Sequence, residues 1–348
     1  MEDNNIIQSL NLNFSKTEPI TIDKKRACGK YISWGDDNRL PQQLFDLYLN
    51  CSELQALINT LQDYICGNGI NSDFKYLSDD GNSFSEELTK CILDYIIFGG
   101  FTLECLRNAN GDITQINYQN VMNVRVDNDL TTAYICNDWG RWNGKDIIEL
   151  PLFDKSQKQP HFIYYYRGNI TRNINPIPIW FSSIKSAQVL NEVRKFNLNN
   201  IQNNFTSNCI VTLNGAQVKS KELQEVKEKL NSEYTGSENA GKVLFINNTN
   251  TDGKVEVTRL SPDNQVDLYN AVQENATNDL YTGFRLNKML IGNNLQTGFA
   301  TQDYENAYKL TYETVIKPLQ KNISKAVKHL GIQIEFNPFI IDWGEQKG

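Results

Sequence analysis

The run Gly236-Ser-Glu-Asn-Ala-Gly241-Lys242 spells a phosphate-cradling loop. In such a loop the amides of a glycine-rich turn point at phosphate oxygens, the lysine adds charge, and a hydroxyl at the next position holds magnesium. Val243 occupies that next position, and the flanking pattern reads helix before and strand after, the reverse of the required order. The run is expected to be a helix-to-strand connection. Cys66-Gly-Asn-Gly69 could cradle an anion, but it stands where a helix stops and reads better as a turn. Asp36-Asp37 and Asp79-Asp80 could hold a hard cation, and solvated turns account for them better. Asp94 and Glu104 flank an apolar stretch, either as buried acids or on an exposed face. Trp139 and Trp142 around Gly140 could stack bases or simply flank a hairpin turn. Neither histidine has a Ser, Cys or acid nearby in sequence to suggest a triad. No catalytic residue, cofactor or metal is expected. An enzyme built on the 101–166 sheet is the competing reading, and it would require clustered acids with shifted pKa values in a deep pocket.

The elements that would position these groups follow from periodicity. Pro41 suits the first turn of a helix. Ser52 with Gln55 spells a capping box, followed by Leu54, Leu57, Ile58, Leu61 and Ile65 at helical spacing and Gly67 as a stop. A second helix spans Ser83 to Phe98, with Ser83 and Glu86 as its box and Gly99-Gly100 as its end. From Phe101 to Tyr166 the pattern alternates as strands, with turns at Asn110-Gly111, Asp127-Asn-Asp129 and Trp142-Asn-Gly144; Val121–Val126 is one of those strands. A long amide-rich helix is predicted from Ser182 to Asn204. Then come a strand (Cys209–Leu213), a charged helix (Ser220–Tyr234), strands Lys242–Ile246 and Lys254–Arg259, and a second long helix from Ser261 to Phe284. A loop follows, then a helix from Gln302 to Leu330 kinked at Pro318, and a strand Ile332–Phe336.

Bulk properties narrow the classes. The 348 residues carry 41 acidic and 34 basic side chains, a net charge of −7. Tight DNA binders usually show a basic face, because phosphate neutralisation supplies most of the affinity. The short cluster Lys24-Lys25-Arg26 is the kind of basic run present, which fits a protein that avoids nucleic acid or one that touches it without holding it. No apolar run approaches the ~18 residues of a membrane span, and the acidic, Asn-rich start lacks the parts of a signal peptide, so a cytoplasmic place of synthesis and no membrane contact are expected. Seven scattered cysteines without a C-x-x-C pair argue against a disulfide scaffold or a zinc site. Cys66, Cys91, Cys105 and Cys136 sit in apolar contexts and read as small buried hydrophobes.

An ordered set of features resembles the portal proteins of tailed bacteriophages over about 300 residues. Tyr31-Ile-Ser-Trp34-Gly35-Asp-Asp-Asn38-Arg-Leu-Pro41 resembles the family's W-G-x-x-N-x-x-P entry, followed by Leu44 to Tyr48, Ser52 and Tyr64-Ile-Cys-Gly67-Asn-Gly69. Phe98-Gly-Gly-Phe101 resembles its helix-to-strand corner, and Asn120-Val-Met-Asn-Val-Arg125-Val with Tyr134 and Trp139 its following sheet. Phe284-Arg-Leu-Asn-Lys-Met-Leu-Ile-Gly292, Gly298-Phe-Ala-Thr and Ile316-Lys-Pro318-Leu319 close the match. Many portals are longer, with a larger crown.

The resemblance implies an α+β portal-type fold with an N-terminal arm (1–29), a wing (30–181), stem helix 1 (182–207), a clip (208–258), stem helix 2 (259–285), a tunnel loop (286–301) and a C-terminal wing with a reduced crown (302–348). It implies a homo-oligomeric ring, a dodecamer, at a capsid vertex of the virion, assembled in the host cytoplasm. Its partners would be the terminase large subunit, the major capsid protein, a head–tail adaptor protein and double-stranded DNA passing through non-specifically. Under it, Arg285 and Lys288 stand at the mouth of the tunnel loop, and Asn293, Asn294 and Gln296 line the constriction. Lys219, Lys221, Glu222, Glu225 and Lys229 of the clip face the motor and adaptor. Another head–tail adaptor is the alternative within the same class.

Overall fold

The computed structural model describes residues 27–28, 30–139, 147–156, 158–168, 173–202, 209–214, 243–248, 255–259, 265–292 and 301–339. In chain order these form β1 (Ala27–Cys28), β2 (Tyr31–Ile32), α1 (Leu40–Asn50), α2 (Ser52–Cys66), β3 (Ile70–Ser72), α3 (Phe84–Phe98), β4 (Gly100–Arg107) and β5 (Ile113–Gln119). After a 3-10 turn come β6 (Val124–Val126), β7 (Thr132–Ile135), β8 (Ile148–Pro151) and β9 (His161–Arg167). Helix α4 (Ile184–Gln202), β10 (Cys209–Asn214), β11 (Val243–Asn248), β12 (Val255–Arg259) and α5 (Gln265–Phe284) follow. The chain ends with α6 (Thr301–Thr311), a π-helical turn (Tyr312–Ile316), α7 (Lys317–Lys328) and β13 (Ile334–Phe336). Contacts divide the chain into a larger unit, 20–187 with 277–348, and a smaller one, 188–276 with 1–19. The boundary falls inside both α4 and α5.

The larger unit is built on α1–α3 and two three-stranded antiparallel sheets, β5-β4-β9 and β6-β7-β8, bridged where Leu152 meets Ile163. Helix α2 buries Leu54, Leu57, Ile58, Leu61 and Ile65, the stripe read from spacing. The second sheet closes on Val124, Val126, Ala133, Ile135, Leu152 and Ile163. Strand β13 returns to pair antiparallel with β3, Phe336 opposite Ile70, so the C-terminal helices are tied to the start of the unit. The smaller unit holds the sheet β11-β10-β12, with β10 and β11 parallel and β10 and β12 antiparallel. A parallel pair requires a crossover of a dozen or more residues, and the stretch 215–242 supplies it.

Local chemistry explains most element ends. Ser83 and Glu86 form the capping box of α3, each satisfying an amide of the first turn. Ser52 does not cap α2: Cys51 is at once the C-cap of α1 and the N-cap of α2, so α2 begins one residue too early for the Ser52–Gln55 box. The predicted strand Val121–Val126 begins as a 3-10 turn, Val121–Asn123, because the Asn120 side chain accepts from the Met122 amide. The predicted helix Gln302–Leu330 is broken into two α segments by the π turn ahead of Pro318.

Gly99 ends α3 in a left-handed conformation, φ 86°, and a Cβ there would sit 2.1 Å from the Ile177 carbonyl oxygen. Gly81 is also left-handed, φ 78°, but faces open space. Gly81→Ala should therefore cost only the left-handed penalty of about 1–2 kcal/mol. Gly99→Ala should cost distinctly more, since a backbone carbonyl must also move. Thermal unfolding of the two variants checks this, and equal losses would contradict the assigned corner.

Candidate functional site

Helix α5 ends in two hydrogen bonds that close a Schellman motif: the Arg285 amide donates to the Thr282 carbonyl and the Leu286 amide to Tyr281, both at 3.1 Å. Arg285 occupies the left-handed position usually given to glycine, φ 57°. Tyr281 and Leu286, the apolar pair of the motif, are both buried. The Asn287 side chain then accepts from the Met289 amide and starts a 3-10 turn that Gly292 ends. The end of α5 is held against the 180–186 corner. Phe284 stacks on Trp180 (6.0 Å between centroids), and the Trp180 indole donates to the Ile96 carbonyl at 2.9 Å. Ser183 donates to the Asp279 carbonyl at 3.0 Å, and a Cβ on Gly283 would lie 2.0 Å from the Ser183 oxygen, so glycine permits this approach.

Two contacts fix the flanks of segment 293–300. Tyr64 of α2, fully packed, donates its hydroxyl proton to the Leu290 carbonyl (3.1 Å) and lies 2.7 Å from the Tyr304 hydroxyl. One phenol thus holds a residue on each side of the segment. The rings of Tyr308 and Phe339 each pack edge-on at 5.3 Å, and burial pushes the Tyr64 phenol far above its ordinary pKa. The second contact begins at Pro318. Proline has no N–H to carry the ladder on from the π turn before it. Within that turn the Arg285 guanidinium donates to the Thr314 carbonyl, Nη2 to oxygen at 2.9 Å. The Lys288 ammonium lies 5.7 Å from the centroid of the Tyr281 ring. Asn293, Asn294 and Gln296, and the clip residues Lys219, Lys221, Glu222, Glu225 and Lys229, lie outside the described residues, as do Trp142 and the run Gly236–Lys242.

Residues quoted from two distant motifs meet at a buried arginine. Arg125 of β6 is fully buried. It donates to the side chain and carbonyl of Asn38 (2.6 and 2.9 Å) and to the carbonyls of Met122 and Val124 (both 2.9 Å). Its guanidinium lies over Trp139 (4.9 Å) and Trp34 (5.5 Å). The Asn38 side chain also accepts from the Trp34 amide at 3.0 Å, with Asn38 itself left-handed, φ 62°. Trp139 donates to the Asn123 carbonyl and packs on Tyr31, so it is a core residue and not a platform for bases. Periodicity could not show this; the only signal was an arginine inside an apolar alternation.

A second buried polar centre lies between α3 and β5. Asp94 is 4% exposed and accepts from the Tyr118 hydroxyl (3.0 Å) and the Val121 amide (3.1 Å). Burial raises its carboxyl from 3.8 to about 7, against those two hydrogen bonds, which favour the ionised form. Burial also acts to raise Glu87, but the Lys90 ammonium, the Tyr118 amide and the Asn82 side chain outweigh it and hold the carboxyl below its ordinary value. These two acids join α3 to the sheet; their partners are structural groups of the fold.

The remaining candidates resolve into local structure. The Cys66–Gly69 amides are taken up by backbone carbonyls: Gly67 donates to Asp63, Asn68 to Asn337 and Gly69 to Cys66. Asp37 accepts from the Arg39 amide, and Asp79 accepts from the side chains of Gln115 and Asn117. Lys242 is followed by strand β11, so the glycine run does not lead into a helix. Glu104 meets His161 Nε2 at 2.6 Å across β4 and β9, a partnership invisible in sequence. Cys91, Cys105 and Cys136 are buried as expected, while Cys66 is only partly covered and burial raises its thiol to about 11. Among the described residues no three His, Cys, Asp or Glu side chains gather to hold a metal ion, and no helix is long and apolar enough to cross a membrane.

The family described as phage portal protein matches residues 78–340. No match is found among curated proteins. Among solved structures, the chain is similar to one from the virion of a native gene transfer agent particle, with a TM-score of 0.56 and 13% identity, covering 86% of this chain and 83% of that one. It is similar to a chain from the neck of the native particle computed with C12 symmetry (TM-score 0.55, 13% identity, 85% and 84% covered). A HK97 family phage portal protein from Corynebacterium diphtheriae aligns with a TM-score of 0.51 at 12% identity, over 84% of this chain and 95% of that one. At these identities the likeness is one of fold.

Tyr64→Phe removes the only proton that can satisfy the Leu290 carbonyl from α2 and should cost about 1–3 kcal/mol. Amide exchange should accelerate at 286–292 and 302–306 while β4, β5 and β9 stay protected. Uniform protection after the change would show that the phenol does not hold these flanks. Asp94 gives a pH signature. Its folded pKa lies above its unfolded value, so the stability linked to its protonated form is complete below about 4 and is lost as pH rises through about 7. Asp94→Asn keeps the acceptor but cannot titrate. Between pH 4 and pH 8 the wild type should therefore lose melting temperature relative to the variant, and parallel curves would refute the assignment.

Proposed function

Because this chain belongs to the phage portal protein family, we propose that it assembles as a ring-shaped channel at a capsid vertex, through which double-stranded DNA enters and leaves. The observation that carries the reading is the layout of 184–292. Two helices, about 28 and 30 Å long at 1.5 Å per residue, bracket a compact mixed sheet, and the second runs directly into a segment pinned on both flanks. In this assignment α4 and α5 are the stem, residues 208–258 the clip, 286–301 the tunnel loop, and 30–181 with 302–348 the wing and a reduced crown.

The physics of sliding supports the assignment of the loop. A ring repeats each side chain about one axis, so one loop residue becomes a circle of identical groups. Unit charges 4 Å apart interact by about 1 kcal/mol in water, and more beside a low-dielectric wall. Multiplied around a ring, such attraction to phosphates would slow the duplex. Asn293, Asn294 and Gln296 offer neutral groups, while Arg285 and Lys288 have partners of their own in Thr314 and Tyr281. A circle of twelve copies fits the C12 symmetry under which the similar particle neck was computed.

The function is structural: the subunit has no catalytic or cofactor role. The terminase large subunit, and later a head–tail adaptor, dock on the clip through Lys219, Lys221, Glu222, Glu225 and Lys229, and the major capsid protein surrounds the wing. The ring assembles in the host cytoplasm and stays in the virion. Electron microscopy of the purified protein at assembly concentrations should show rings with an axial hole, and a closed monomer under all conditions would sink the proposal. Asn293→Lys with Asn294→Lys should leave rings intact and slow DNA packaging or release; unchanged rates would remove the loop from the channel.

A further inference from the structure

Helix α7 carries Lys317, Lys321, Lys325 and Lys328 and no acidic residue, in a chain of net charge −7. Steps of four and three residues place the lysines along one face, and all four are exposed. Leu319, Ile323, Ala326 and Val327 bury the other face. Lys317 pairs with Glu313 at 2.8 Å. Favourable interaction with the helix C-terminus reaches only the last turn, so it does not account for Lys321.

Other segments bring cations to the same place. One groove is lined by the cations Arg107 and Lys155 and a second by Lys325 and Lys328, and the His329 side chain lines both. Lys158 lies across Gly111 in the β4–β5 turn, where a Cβ would come within 2.9 Å of its Cδ, and Gly111 lines the first groove. Arg107 is fixed in place, 4.9 Å from the centroid of the Phe162 ring and donating to the Gly111 carbonyl at 3.0 Å. Asp112 lines the first groove, and no acidic residue lines the second.

We infer that this face binds the phosphate backbone of double-stranded DNA, at a place distinct from segment 286–301. Interfaces with proteins are depleted of lysine and anchored by exposed aromatic or apolar side chains. The strongly exposed apolar residues of the larger unit, such as Leu49, Leu77, Ile148 and Leu310, line neither groove; the apolar groups that do, among them Phe74, Phe153 and Tyr166, are half-buried. Single-stranded nucleic acid is held by rings free to stack on bases. The rings here are packed on others, Phe74 on Phe84 at 5.7 Å and Phe153 on Phe162 at 5.5 Å. A row of flexible point charges about 6 Å apart along the helix suits a duplex, which carries a phosphate about every 1.7 Å of axis. The inference does not need the channel reading, since no residue of the tunnel loop or clip enters it.

The test is fluorescence anisotropy of a 24-base-pair duplex with the full chain between 50 and 200 mM KCl. Each phosphate contact adds about 0.9 to the slope of log affinity against log salt. Lys155→Gln, Lys325→Gln and Lys328→Gln together should lower that slope by nearly 3. Across this salt range the wild type should then lose about 40-fold more affinity than the triple variant. A control removing the same charge elsewhere, Lys30→Gln, Lys185→Gln and Lys309→Gln, should keep the wild-type slope. Absence of duplex binding by the wild type, equal slopes in wild type and triple variant, or equal loss in the control would overturn the inference. So would displacement of the duplex by polyglutamate at matched charge, which would point to an acidic protein surface. Ring formation, scored separately by microscopy, tells failure here from failure of the channel reading.

Discussion

The backbone nitrogen of Pro318 carries no proton, and the geometry around residues 285–316 is arranged about that fact. A helix through this point loses one main-chain donor, so a carbonyl of the preceding turn goes without its bond from within the helix. The chain widens to a π turn over Tyr312–Ile316, and the Arg285 guanidinium reaches Thr314. Arg285 can do so because it sits at the left-handed end of α5, a conformation that costs about 1–2 kcal/mol in a residue with a side chain. The bond between Arg285 and Thr314 lies at the surface, where water competes for both groups, so it offsets only part of that cost. The turn widened ahead of the proline is thus also where a side chain from the end of another helix attaches. Tyr64 completes the arrangement from α2, holding Leu290 and Tyr304 with one hydroxyl.

The two buried polar centres of the larger unit solve a similar problem with opposite charges. Arg125 spends its donors on three main-chain carbonyls and Asn38, and its planar faces on two tryptophans. Lysine could not match both the fork geometry and the stacking. The result joins the Trp34–Asn38 stretch to β6, which lies far along the chain. Asp94 joins α3 to β5 and the 3-10 turn after it, through one hydroxyl and one amide. Burial sets its pKa, because two hydrogen bonds do not compensate for the loss of water around a carboxylate. In each case a polar group that is costly to bury ties together elements that periodicity treats as independent.

That difference explains what could be read from the amino-acid order. Helices α2 and α3, the Asn110-Gly111 turn, the strands after Phe101 and the two long helices all rest on local signals, and they appear with ends displaced by a few residues. The Ser83 box is present because nothing competes for it. The Ser52 box is absent because α1 runs into α2 through Cys51, and a cap is defined by where the previous helix ends. The partners of Arg125, Tyr64 and His161 are separated by 87, 226 and 57 positions, and no spacing rule spans such distances. The Trp34–Asn38 entry and the Arg125 sheet lie far apart in sequence and each carries its own resemblance; that they form one cluster is a property of the folded chain alone.

Net charge is a similarly poor guide to where a polyanion could be held. A value of −7 averages over the whole chain, whereas attraction to phosphate fades beyond about 10 Å at ordinary salt. Within that distance a helix with lysines on one face and none of the opposite sign behaves as a basic surface, whatever the rest of the molecule carries. The amphipathic pattern that packs Ile323, Ala326 and Val327 inward also lines the lysines up outward, so burial and charge display arise from one periodicity. Holding DNA and letting it slide make opposite demands on charge. A chain can meet both only by keeping cations off the sliding surface and gathering them elsewhere. Under the two proposals, Asn293, Asn294 and Gln296 would serve the sliding and the lysines of α7 the holding.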